Sequence, residues 1–166
     1  MVYKTIISID DLKNNLNNDD FLIFDSRCDI KDSGYGIDSY TEGHIPNSIF
    51  VDVDTDLASE KRPGTGRHPL PDPDRFSEKL SHWGMSNNKQ VIVYDDAGGA
   101  FAGRLWWMLK WLGHEAVAVL DGGLNSWVKG GNKLVTTPTV FEKAHFEPCV
   151  QENMIATVED IKEAQF

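Results

Sequence analysis

Basic side chains are scarce beside acidic ones: 16 Lys and Arg stand against 26 Asp and Glu, a formal net charge of −10 at pH 7. A surface of that sign repels phosphate backbones and anionic headgroups, so nucleic acid and charged membranes are not expected as partners. It also works against long-range attraction of small anions unless a local cationic pocket overrides it. Cysteine is nearly absent. Cys28 and Cys149 lie far apart and make no disulfide framework, so two free thiols in a reducing compartment are expected. No apolar run approaches the length that spans a bilayer. The opening MVYKTIISIDDLKNNL lacks the continuous apolar stretch and small-residue cleavage site of a signal peptide, and the expected compartment is cytoplasmic. His82, His114 and His145 show no metal-ligand spacing. The stretch GGAFAG lacks the G-x-G-x-x-G spacing, and no Gly-Lys-Ser/Thr follows it. No cofactor and no metal are therefore expected. A phosphatase of related fold would need a Cys and an Arg on that short loop, and neither is present there.

What is present is organised around VIVYDDAGGAFAGRLWW, Val91 to Trp107. Val91-Ile92-Val93-Tyr94 reads as a strand buried on both faces. Two carboxylates, Asp95 and Asp96, and two glycines, Gly98 and Gly99, follow it. A nearly all-apolar helix comes next, in which only Arg104 and Lys110 are charged. A buried strand feeding a buried helix through a Gly-rich turn places a site at the carboxyl end of the strand, where ligands of open α/β sheets bind.

The remaining chain repeats that alternation. Ser8 caps a short helix through Leu12 and Leu16, and Phe21-Leu22-Ile23-Phe24 is a buried strand ending on Asp25-Ser26-Arg27. Residues 29–40 read as a loop, and Tyr40 to His44 as one helical turn closed by Gly43. Ile45-Pro46 is extended, and Ser48 to Val51 is a strand ending at Asp52-Val53-Asp54. Leu57 to Pro73 is a long loop rich in Pro, Gly and charge, of the kind that is functional or mobile. Asp74 to Trp83 is an amphipathic helix, Ala116 to Leu120 a strand, and Leu124 to Val128 a short helix after Asp121-Gly122-Gly123. The five tryptophans are expected mostly in the core. Strands alternating with helices, at separations far beyond a hairpin, mean an α/β fold: a mainly parallel central sheet with helices on both faces. Residues 132–156 read as a linker. Thr157 to Lys162 has the shape of Ser8 to Lys13, a weak internal repeat.

These residues together resemble the two-domain sulfurtransferases, thiosulfate sulfurtransferase (rhodanese) and 3-mercaptopyruvate sulfurtransferase. Asp25-Ser26-Arg27 looks like the family's D-x-R after the first strand. Tyr40 to Ser48 resembles its E-x-G-H-I-P-G-A signature, with Asn47 where glycine is usual. Arg67-His68-Pro69-Leu70-Pro71, Arg104-Leu105-Trp106-Trp107 and Leu120 to Trp127 are familiar from the N-terminal half, and Thr157 to Lys162 resembles the beginning of the C-terminal half. The resemblance runs from about Ser8 to Phe166 and implies a three-layer rhodanese-like fold. Residues 1–131 would be a domain of the non-catalytic type, 132–156 a linker, and 157–166 the start of a second such domain.

The family's chemistry needs a cysteine at the end of the central strand, whose thiolate accepts a sulfane sulfur and becomes a persulfide. Loop N–H groups and a helix dipole hold that anion. In this chain the matching position is Asp95, and a carboxylate cannot carry a persulfide. The resemblance therefore implies a non-catalytic N-terminal half. Its partners would be a C-terminal rhodanese domain of the same polypeptide, a small-molecule sulfur donor (thiosulfate or 3-mercaptopyruvate) and a thiophilic acceptor such as cyanide or a thiol. In the mercaptopyruvate branch an acid after the second strand and a histidine of the long loop are proposed to form a relay with a serine near the cysteine. That implies Asp54 and His68 as assisting residues, and a carboxylate orienting an imidazole is ordinary acid–base hardware.

The other polar residues read as structural. Asp95 and Asp96 cap the helix, and Arg104 is expected to pair with one of Asp25, Asp96 or Asp121, since an unpaired buried guanidinium is costly. Arg27 and Glu42 are a further candidate pair. His44 is a hydrogen-bonded structural residue, and Cys28 a partly buried free thiol. Two rival functions remain: a stand-alone, catalytically silent rhodanese-like binding module, and an active single-domain enzyme that uses Cys28.

Overall fold

The computed structural model describes residues 2–164. Five strands form one all-parallel sheet: β1 (Ile6–Ile7), β2 (Phe21–Asp25), β3 (Ser48–Phe50), β4 (Gln90–Tyr94) and β5 (Val117–Leu120), in the order β1-β5-β4-β2-β3. The apolar runs alternate between two cores. Leu22, Phe24, Val91, Val93 and Val117 face α3 (Pro73–His82) and α4 (Ala102–Trp111), which contribute Phe76, Leu80, Leu105, Met108 and Leu109. Ile23, Ile92, Tyr94, Ala118 and Leu120 face α1 (Ile9–Asn14) and α5 (Gly123–Lys129), with Leu12, Leu124 and Trp127. Helices on both faces of a parallel sheet give the expected three layers. Every strand is parallel, so all strand ends that lead into helices lie on one edge.

The local rules explain most elements. The Ser8 side chain caps α1 by accepting from Asp11 N–H, and Asp72 with Pro73 opens α3. The strand β1 has only two residues, too few for a periodic signal; it exists because its backbone pairs with β5. Residues 29–40, expected as a loop, instead enter α2 (Tyr35–Glu42). Gly34 and Gly36 hide that helix from a propensity reading. Gly36 is there for space, since a Cβ would stand 2.4 Å from the Arg27 carbonyl oxygen. Asn47 adopts φ 64°, which is why asparagine can replace the usual glycine there. Trp111 and Trp127 are buried, whereas Trp83, Trp106 and Trp107 are only partly covered.

Residues 132–156, expected as a linker, carry one short 3₁₀ turn (Glu152–Met154) and otherwise run over the domain surface. They are fastened to it: Val135 and His44 exchange backbone bonds, Phe146 is buried in the first core, and Cys149 and Gln151 N–H donate to the carbonyls of Leu112 and Trp111. The helix α6 (Val158–Glu163) starts from a Thr157–Asp160 capping box and leaves Val158 and Ile161 exposed. Of the expected second-domain start at 157–166, Gln165 and Phe166 lie outside the described residues. Among the described residues no helix is long and apolar enough to cross a membrane, and no group of three or more His, Cys, Asp or Glu could hold a metal ion.

Candidate functional site at the carboxyl edge of the sheet

At the end of β4, Asp95 turns its carboxylate inward and is 1% exposed. Oδ1 accepts from the N–H groups of Ala97 (3.0 Å) and Gly99 (2.8 Å), and Oδ2 from those of Phe101 (2.8 Å) and Ala102 (2.9 Å). The turn closes this way because Gly98 and Gly99 both take positive φ, which aims successive N–H groups at one point. Phe101, at the cap position of α4, has no side-chain capping bond, and Asp95 does that work from outside. Gly123 packs on the same turn, where a Cβ would stand 2.2 Å from the Asp95 carbonyl oxygen. Thus the Asp95 carboxylate occupies, with its own charge, four N–H groups of this turn.

Beside it lies a buried polar knot. Asp25 accepts from Arg27 Nε and Nη2 and from the Tyr94 hydroxyl (2.7 Å), and Arg27 Nη2 also donates to the Gly43 carbonyl at 2.8 Å. Burial first, and then the Asp25 charge, hold the Tyr94 phenol well above its ordinary value, so it serves as a neutral donor. Asp25 and Arg27 thus hold each other and the Gly43 backbone, and the Arg27–Glu42 pair does not form. Arg27 reaches the backbone one residue beyond Glu42, whose side chain points to solvent. His44 stacks on Tyr40 at 3.8 Å and places its ring nitrogens on the carbonyls of Tyr40 and Thr137. Asp121 is exposed, and its backbone N–H donates to the Ile7 carbonyl.

Arg104 also departs from expectation. It meets none of Asp25, Asp96 or Asp121. Asp25 is taken by Arg27 and Tyr94, and Asp96 accepts the Tyr35 hydroxyl at 2.5 Å. Arg104 instead donates to the Leu57 carbonyl through Nε (3.1 Å) and Nη2 (2.7 Å), and to the His68 carbonyl through Nη2 (3.0 Å). Burial alone pulls its guanidinium below the usual value.

The open part of the edge is formed by the ends of β2 and β3 and the long loop. Asp54 and His68, far apart in sequence, meet there: Nε2 of His68 lies 2.7 Å from Oδ1 of Asp54, with side chains 20% and 35% exposed. Asp52 fixes the turn that presents Asp54 by accepting from its N–H and that of Thr55. A cleft of about 610 Å³ opens between Asp54, Arg67, Lys61 and Ile30. A second, of about 650 Å³, lies between Cys28, Tyr35, Asp96 and Asn125. Arg67 donates to the Ile30 carbonyl at 2.6 Å and ties the loop to the neighbouring strand end. Cys28 is half-buried at this edge. Burial first, then Asp54, Asp52 and Asp29, raise its thiol pKa, the opposite of what a nucleophilic cysteine needs. The sequence signals for Tyr35, which the loop reading concealed, and for the Arg104 contacts were absent: a bond to a carbonyl leaves no mark on the residue that supplies it.

The rhodanese-like domain pattern matches residues 8–130 of this chain. The chain is 41% identical over 144 residues to a probable 3-mercaptopyruvate sulfurtransferase of Pseudomonas aeruginosa, an alignment covering 86% of this chain and 51% of the relative. To thiosulfate sulfurtransferase of Rattus norvegicus it is 34% identical over 128 residues, 75% of this chain and 41% of the relative. Among solved structures, the 3-mercaptopyruvate sulfotransferase SseA from Escherichia coli superposes with a TM-score of 0.83 at 28% identity, over 98% of this chain and 62% of that one. The 3-mercaptopyruvate sulfurtransferase from Leishmania major does so with a TM-score of 0.78 at 30% identity, over 89% and 42%. A parallel five-stranded α/β domain with helices on both faces is the class that the geometry defines. The chain belongs to the rhodanese-like domain family, and its homologues are sulfurtransferases. It spans about half the length of the curated relatives it matches.

Proposed function

We propose that this chain is the non-catalytic N-terminal half of a cytoplasmic sulfurtransferase. The whole protein would move sulfane sulfur from thiosulfate or 3-mercaptopyruvate to cyanide or a thiol, through a cysteine persulfide on a C-terminal half of the same polypeptide. The observation that carries this reading is Asp95: a buried carboxylate sits at the end of the central strand and engages four loop N–H groups. Neither a thiolate nor a free anion cradle is available there. Asp54 and His68 are the groups of this half suited to proton handling. With Nε2 held by Asp54, Nδ1 is the ring nitrogen left to take or give a proton across the interface. The exposed Val158 and Ile161 of α6 agree with a chain that continues into more apolar packing.

The test is sulfur transfer to cyanide by the purified chain, offered thiosulfate and then 3-mercaptopyruvate, with Cys28→Ser beside it. No turnover is expected from the chain alone. Turnover is expected when the two halves are joined in one polypeptide, and His68→Gln in that protein lowers it by about 100-fold, the usual worth of a positioned acid or base. Turnover by the chain alone that vanishes in Cys28→Ser would overturn the reading and make the β2 end the active site.

A further inference from the structure

We propose that Arg104 is a positioning residue for the Asp54–His68 pair, clamping the long loop so that the imidazole stays on its carboxylate. The inference rests on the reading that this pair handles protons, and it adds the residue that places it. The segment that carries His68 has little structure of its own. Between Leu57 and α3 it holds a turn at Arg62–Thr65 and one backbone bond across its neck, from Ser59 N–H to Pro69 at 3.0 Å. Leu57 is fully buried, but from Glu60 to Arg67 every residue is exposed. His68 is the point where the chain returns, and its backbone carbonyl is bound by Arg104 at 3.0 Å. The same Nη2 holds the Leu57 carbonyl, at 2.7 Å. One guanidinium on a rigid, packed helix therefore fixes both ends of the excursion relative to each other.

The choice of residue is informative. Arg104 and Lys110 are the charged residues of α4, and Lys110 forms an ion pair with Glu115. Arg104 has no carboxylate partner among the described residues, so its charge is half-buried without an opposing one. A leucine or methionine would pack there without that penalty. What it would lack is a planar fork with several donors, the geometry needed to reach two carbonyls at once. The bond falls on the backbone of His68 itself, so a shift of the loop at this point moves the imidazole directly off Asp54, whose own position is set separately by Asp52.

The experiment follows the His68 side-chain nitrogens of this chain by ¹⁵N NMR. Asp54→Asn is made in the parent chain and in Arg104→Gln and Arg104→Lys backgrounds. In the parent chain, Asp54→Asn displaces the Nε2 resonance. In Arg104→Gln that displacement is expected to shrink by about twofold or more, the coupling that a shared network shows in a double-mutant cycle. Arg104→Lys, which keeps one donor group, is expected to fall between the two. A role confined to general stability would lower the melting temperature but leave the Asp54 response of the folded chain intact, and that result overturns the proposal. If Arg104→Gln does not fold, the lysine variant decides, and a response equal to that of the parent chain overturns it. A parallel arm measures sulfur transfer in the joined two-half protein. Loss of the coupling in the chain with transfer unaffected by both Arg104→Gln and His68→Gln would uphold the positioning and refute the functional reading.

Discussion

Two neighbouring parts of the same sheet edge are built on opposite plans. At the end of β4, Asp95 is sealed, its four acceptor contacts all made within the turn that carries it. At the end of β3, Asp54 is partly open and holds one imidazole from a loop with almost no internal bonding. A buried charge is tolerable only when fully hydrogen-bonded, and a group fully bonded inside the protein has no capacity left for a substrate. A half-exposed pair contributes little to stability and keeps lone pairs and protons for a partner. The contrast teaches that the turn after β4 is closed on itself, while the rim keeps polar groups open to a partner.

The largest expected effect follows from the sealed side. Asp95→Ala leaves the N–H groups of Ala97, Gly99, Phe101 and Ala102 unpaired at the start of a core helix. A loss of about 4 kcal/mol in chemical unfolding is expected, two or more charge-assisted bonds with the desolvation cost of the orphaned donors. A loss below about 1 kcal/mol would show that water replaces the carboxylate and that the turn is not closed on itself. On the open side, His68→Gln is expected to change stability by no more than about 0.5 kcal/mol, the range of surface substitutions. If it destabilises as strongly as Asp95→Ala, the rim pair is structural as well and the comparison collapses.

How much of this is legible in sequence depends on which interactions leave a pattern. The buried runs of β2, β4 and β5 show as apolar strands because both faces are covered. Asp95 is legible too, since an acid before two glycines and a helix has few other uses. Asp54 and His68 are legible only through a resemblance, because nothing local says that a turn at the end of β3 meets a proline-rich loop. The misplaced partners of Arg27 and Arg104 share one cause. Charge alone sends both to carboxylates, yet both spend donors on backbone carbonyls, at Gly43, Leu57 and His68, which every residue type supplies alike. The helix α2 was hidden by its glycines, one of which is required by the Arg27 backbone rather than by the helix.

The finest test of the contrast is Cys28, which shares a cleft with Asp96 and Phe101. Its thiol is held above its ordinary value of 9.0 by burial first and then by the charges of Asp54, Asp52 and Asp29. The Asp95 carboxylate is instead occupied by four N–H groups of its own turn. Because the reactive species is the thiolate, alkylation by iodoacetamide is expected to be slow at neutral pH and to keep climbing beyond pH 9.0. Removing one of the open-side charges lowers the pKa, so Asp54→Asn should speed the reaction at neutral pH by about twofold, an increase that shrinks as salt is added. Asp95→Asn, provided the chain remains folded, should leave the rate unchanged. Equal acceleration by both variants would mean that the sealed carboxylate's field reaches the rim, and that the two ends of the edge cannot be treated as electrostatically separate.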